Sequence, residues 1–122
     1  MGIDIDIPLT QGACKRLKSE MRVYYGPPPQ TVLSDFSVDL STGGLYLKTK
    51  MPLRIDDDLT LTFSLPGQDE KAVSCGARVA WVNQEENPLK PELPSGVGVQ
   101  FVDLAPEDLA SVASCLEIES IW

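Results

Sequence analysis

The sequence predicts an all-β domain, with six short antiparallel strands forming a small closed barrel or a sandwich and one C-terminal α-helix packed against it. Three observations predict it. Segments rich in β-formers, most of them alternating apolar and polar residues, recur at near-regular spacing between Gly and Pro punctuation. After Pro106 the hydrophobic period changes from that of a strand to that of a helix. The 122 residues make one domain, because two would each be too small to bury a comfortable core.

Residues 1–20 read as an irregular N-terminal arm carrying a basic segment, and 21–122 as the barrel domain. Met21-Arg22-Val23-Tyr24-Tyr25 is the first strand, stopped by Gly26-Pro27-Pro28-Pro29, whose prolines cannot donate to a ladder. Thr31–Leu40 alternates, with Val32, Ser34, Phe36, Val38 and Leu40 on one face. Thr42-Gly43-Gly44 turns the chain into a returning strand, Leu45–Thr49. Pro52–Asp56 is a connector, and Asp56-Asp57-Asp58 a solvated turn without the spacing of a calcium loop. Leu59–Leu65 alternates strictly and ends at the turn Pro66-Gly67. Ala72–Val82 sets Val73, Cys75, Ala77, Val79 and Trp81 on one apolar face, which predicts a core position for Trp81. Asn83–Ser95 is polar, holds three prolines and reads as an exposed loop before the last strand, Gly96–Val102.

The helix is predicted over 106–117. Pro106 suits a first helical position, Glu107 and Asp108 complement the dipole, and Leu109, Val112 and Leu116 form the packing stripe. Leu61, Phe63, Val79, Trp81, Val99 and Phe101 are expected inside the barrel.

Composition narrows the chemistry. The chain has no histidine, which removes Ser-His-Asp and Cys-His catalysis and His-based zinc sites. The three cysteines, Cys14, Cys75 and Cys115, lie far apart without a Cys-x-x-Cys pair and are expected as free thiols in a reducing cytoplasm. There is no nucleophile elbow and no lysine-bearing phosphate loop. No catalytic residue, metal or cofactor is therefore expected, and the protein is not expected to be an enzyme. The net charge of −8 disfavours polymeric nucleic acid and anionic membranes. No apolar run is long enough for a membrane span. Acidic Asp4 and Asp6 near Met1 argue against a secretory leader and a myristoylation signal, so a cytoplasmic location is expected. Against this acidic background Lys15, Arg16, Lys18 and Arg22 form a compact basic segment, suited to a small anion or simply to solvation.

Asp39-Leu40-Ser41-Thr42-Gly43-Gly44, set between two strands, matches the Asp/Asn-x-Ser-x-x-Gly motif of PilZ domains. Gly43–Thr49, Ala77-Arg78-Val79-Ala80-Trp81 and Gly96-Val97-Gly98-Val99-Gln100-Phe101 follow in the same order, so the sequence resembles that family from the arm to the terminal helix. The resemblance implies a six-stranded PilZ-type barrel that binds the bacterial second messenger cyclic di-GMP. The family's second element is an Arg-x-x-x-Arg pair before the first strand. Here Arg22 holds the second place, and Lys18 stands in the first.

The resemblance implies a ligand site made of Arg22, Asp39, Ser41, Gly44 and Lys18. An arginine grips phosphate or the O6/N7 edge of guanine through two donors and stacks on the base, whereas a lysine brings charge alone. Asp39 would accept from guanine N1 and N2, Ser41 would offer a hydroxyl, and Gly44 would let the backbone come close. Taken alone, Asp39 to Gly44 also reads as a self-capped turn. Arg16, six residues before Arg22, is a substitute cation at unsuitable spacing. Two functions follow: a cyclic di-GMP receptor or adaptor acting on an unknown downstream protein, or a degenerate domain that binds no nucleotide and acts through protein contacts.

Overall fold

The computed structural model describes residues 16–65, 68–84, 86 and 88–121, with backbone alone at 68–71 and 117–121. The expectations for residues 1–15, among them Cys14, Lys15 and the acidic N-terminus, lie outside these residues, as does the Pro66-Gly67 turn. Among the described residues seven strands precede one helix: β1 (Leu17–Lys18), β2 (Arg22–Gly26), β3 (Leu33–Leu40), β4 (Gly44–Lys48), β5 (Asp58–Leu65), β6 (Gln68–Asn83), β7 (Gly96–Phe101) and α1 (Pro106–Ile121). The sheet order is β1-β3-β2-β5-β6-β7-β4, all antiparallel, and a β3–β4 pairing closes β2 to β7 into a six-stranded barrel. Closure removes the open edges that a flat sheet of these strands would expose.

The interior follows the alternation of β5 and β6. Leu59, Leu61, Phe63, Leu65, Val73, Cys75, Ala77 and Val79 are all buried, and Val23, Tyr25, Leu45, Leu47, Val97 and Val99 join them. Phe101 is half-buried and stacks on Phe63 at 5.9 Å between centroids. Burial pushes the Cys75 thiol up to about 12, helped by the carboxylates of Asp103 and Asp108, so it is inert packing. Cys115 is also buried.

Two expectations on packing are corrected. Trp81 lies on the outside, because a register irregularity between Val79 and Trp81 adds a residue to β6, so that Val82 turns inward against the core. Leu109 is 42% exposed, because α1 meets the barrel through Val112, Cys115 and Leu116 instead. The helix starts at Pro106 as expected and runs past 117, to Ile121. Thr31 and Val32 precede β3, and Val32 is exposed.

The acidic triplet runs from a turn at Asp56 into the start of β5 at Asp58. Asp56 takes φ 75°, Asp57 accepts from the Arg54 amide at 2.8 Å, and Asp58 pairs with Arg78 at 3.1 Å. Inside one end of the barrel, Tyr25 donates to Asp35 at 2.6 Å and lies 2.8 Å from the Thr49 hydroxyl. Burial, with help from the Asp35 carboxylate, pushes the Tyr25 phenol up to about 12, against a smaller opposing effect of Thr49. No helix among the described residues is long and apolar enough to cross a membrane.

Candidate functional site

The site is assembled along one edge of β3. Its first half pairs with β2, Arg22 opposite Phe36, and its end pairs with β1, Leu17 opposite Leu40 and Lys18 opposite Asp39. Four residues on the arm therefore span three on β3, and Ser37 absorbs the mismatch. Its buried hydroxyl accepts from the Met21 amide at 3.0 Å and donates to the Ser19 carbonyl. The Ser37 amide also donates to Met21 O, and the Ser19 amide to Val38 O. This serine pins the basic arm to the barrel. A lone serine in an alternating strand carries no sequence signal of that task.

Arg16, Lys18 and Asp39 come together at the end of β3. Arg16 donates to Asp39 Oδ1 at 2.7 Å, an ion pair half open to solvent on the arginine side. The same oxygen accepts the Tyr46 amide of β4 at 3.1 Å, beside a β3 bulge between Ser37 and Asp39. The Asp39 carboxylate is thus held on the outer surface with a guanidinium against it and Lys18 as its register neighbour. Arg16 is the cation that spacing alone ranked last.

Arg22 is not part of this cluster. It lies three β3 residues away, roughly 10 Å along the strand, where its guanidinium covers Phe36 at 4.6 Å and donates to Ser34 at 3.3 Å. Phe36 is the stacking partner missed in the sequence. Alternation groups it with Val38 and Leu40, and only the pairing register sets it directly opposite Arg22.

Ser41 and Gly44 are occupied by the turn. The Ser41 hydroxyl, buried, accepts from the Gly43 amide at 3.2 Å and donates to the Gly44 carbonyl at 3.3 Å. The Ser41 amide donates to that carbonyl at 2.8 Å. Gly44 runs so close to β7 that a Cβ would sit 1.9 Å from the Val99 carbonyl oxygen. Its missing side chain is therefore explained by strand β7. Asp39 and Ser41 do not share a face, since the strand ends at Leu40 and Ser41 folds back into the turn.

Beyond Asp39 the outer surface continues through aromatic side chains. Tyr46 is buried beneath Trp81, with ring centroids 5.2 Å apart and planes at 25°. Burial raises the Tyr46 phenol, opposed by a hydrogen bond from Asn83 and assisted by the charge of Asp39. Among the described residues no cluster of carboxylates and cysteines could hold a metal ion.

The PilZ domain family model matches residues 11–117 of the chain. Among solved structures, the inhibitor of motility MotI/DgrA of Bacillus subtilis superposes with a TM-score of 0.72 at 14% identity. That match covers 93% of this chain, which spans only about half (53%) of MotI/DgrA. The PilZ domain of CeSA from a cellulose-synthesizing bacterium superposes at 0.58 with 15% identity, over 87% of this chain and 98% of that domain. No curated protein sequence matches.

Proposed function

This chain belongs to the PilZ domain family, whose members are cyclic di-GMP-binding or adaptor domains, and we propose that it is a non-catalytic cyclic di-GMP receptor of the bacterial cytoplasm. One observation carries the reading: the motif carboxylate of Asp39 and the cations Arg16 and Lys18 of the arm meet on paired strands. A guanine edge presents N1 and N2 donors to a carboxylate, and the nearby cations suit its two phosphates. Arg22 on Phe36 offers a flat cationic surface for a second base. Ser41 and Gly44 serve the site by shaping the turn that carries Asp39.

The experiment is isothermal titration with cyclic di-GMP, with cyclic di-AMP as control. Wild type should give heat with the first alone. Arg22→Ala should weaken binding about ten- to a hundredfold, the loss of one charge-assisted contact. Equal binding by Arg22→Ala would displace the site from where it is drawn here.

The degenerate reading has an observation of its own. Asp39 already accepts from Arg16 and Tyr46, Arg22 already lies on Phe36, and Lys18 lacks a guanidinium fork. These groups are satisfied without a ligand. Absence of heat with wild type, together with heat for Lys18→Arg, would favour a domain working through protein contacts.

A further inference from the structure

The outer wall of the barrel carries one unbroken row across five strands. Lys18 is the register partner of Asp39, Asp39 of Tyr46, Tyr46 of Gly98, and Gly98 of Trp81. Two irregularities bring this row about, the bulge between Ser37 and Asp39 and the one between Val79 and Trp81. Gly98 leaves the space that the indole fills, since a Cβ there would lie 1.9 Å from its nitrogen.

Tyr46 is held at both ends. Its amide donates to Asp39 Oδ1, and its hydroxyl donates to the Pro94 carbonyl and accepts from Asn83 Nδ2 at 3.2 Å. Asn83, itself buried, accepts the Lys90 amide at 2.8 Å and donates to the Lys90 carbonyl at 2.9 Å. The Lys90 ammonium stands 5.9 Å from the Trp81 ring. The loop between β6 and β7 is thereby fastened to the barrel through a tyrosine whose backbone is bonded to the carboxylate at the candidate site.

We infer that this loop, through its residues 88–95, is the output element of the Asp39 site, with Tyr46 and Trp81 as the coupling between them. The inference rests on the nucleotide reading above. Beside the bulge, the Tyr46 amide donates to a side-chain oxygen of its own register partner, Asp39. A guanine that draws the Asp39 carboxylate to itself takes that acceptor from the Tyr46 amide, a loss that β4 can make good by shifting. Tyr46 cannot shift alone, because its ring is stacked on Trp81 and its hydroxyl holds the loop. A close-packed row of this kind repacks as a unit, so a small change at Asp39 is delivered to the loop.

The test uses the full chain carrying Trp122→Phe, which leaves Trp81 as its one tryptophan. Its readouts are Trp81 emission and hydrogen exchange at the Lys90 amide. Without nucleotide, Asp39→Ala should speed that exchange several-fold and shift the emission. Unchanged exchange in Asp39→Ala overturns the inference whatever the nucleotide does. With saturating cyclic di-GMP, titration heat should come with a change in both readouts, and heat without either also overturns it. Tyr46→Phe keeps the amide on Asp39 and cuts the hydroxyl, so it should bind within about threefold of the parent while Lys90 no longer responds to nucleotide. A Lys90 response that survives Tyr46→Phe refutes the route drawn here. If the parent gives no heat at all, the nucleotide reading fails by itself, and the Asp39→Ala exchange still decides the coupling.

Discussion

Gly43 and Gly44 stand side by side in one turn, and alanine at each should have opposite consequences. At Gly43 the nearest atom to a new Cβ is the Ser41 hydroxyl oxygen at 3.9 Å, ordinary contact. Gly43→Ala should therefore stay within about 0.5 kcal/mol of wild type. At Gly44 the new Cβ meets Val99 O at 1.9 Å, Val99 C at 2.9 Å and Gln100 Cα at 3.1 Å, all backbone. No rotamer relieves that clash, so β4 must retreat from β7 by more than an ångström. The bonds at risk are the Phe101 amide to Gly43 O and the Ser41 amide to Gly44 O, both 2.8 Å. Each stranded buried group costs about 1–3 kcal/mol. The stiffer unfolded chain of an alanine variant returns about 0.4–1 kcal/mol. Gly44→Ala should then lose about 2–4 kcal/mol. In urea, at a slope of about 1–2 kcal/mol per molar, the midpoint should fall by about 2 M. A Gly44→Ala midpoint equal to wild type, or one higher than that of Gly43→Ala, would refute the claim that this glycine is required by β7.

Phe63→Ala empties a fully enclosed aromatic site and should cost about 3–5 kcal/mol, whereas Leu109→Ala, on the exposed side of α1, should cost under about 1 kcal/mol; urea denaturation measures both. Alkali should destabilise the fold. The folded Tyr25 keeps its proton up to about pH 12 while the unfolded tyrosine loses it from about 10, so the unfolded state binds fewer protons in that window and stability falls as pH rises. Tyr25→Phe should flatten that part of the curve, and equal slopes for the two proteins between pH 10 and 12 would refute the assignment. Lys18→Arg should bind cyclic di-GMP more tightly than wild type by titration, because it supplies the fork a lysine lacks, and weaker binding would show that Arg16 already fills the place. Zinc, magnesium or calcium added to chelator-stripped protein should leave its thermal midpoint unchanged; a large rise with one of them would reveal a carboxylate site.

Strand β5 and the helix show how much was legible along the chain. Leu59–Leu65 alternates with nothing to disturb it, so sequence parity and barrel side agree residue by residue. Pro106, the acidic first turn and the spacing of Val112 and Leu116 mark the helix locally. The turn from Asp39 to Gly44 was legible as well, because a turn and its capping groups are written within a few residues.

What the sequence by itself determined, then, is the strand count of the barrel, the turn and the terminal helix. Only tertiary structure decided which side chains share a surface. A bulge adds one residue without changing composition, yet it reverses every side chain beyond it, and this carried Trp81 from the expected core onto Gly98 outside. The same device, with Ser37 filling the mismatch on the arm, set Lys18 opposite Asp39 and brought Arg16 to within 2.7 Å of it, while Arg22 went to Phe36. Local periodicity reports which face a residue has only along an unbroken strand, and a bulge is not written in it. The register between strands is a balance of hydrogen bonds and packing over the closed barrel, and it alone chooses each residue's neighbour.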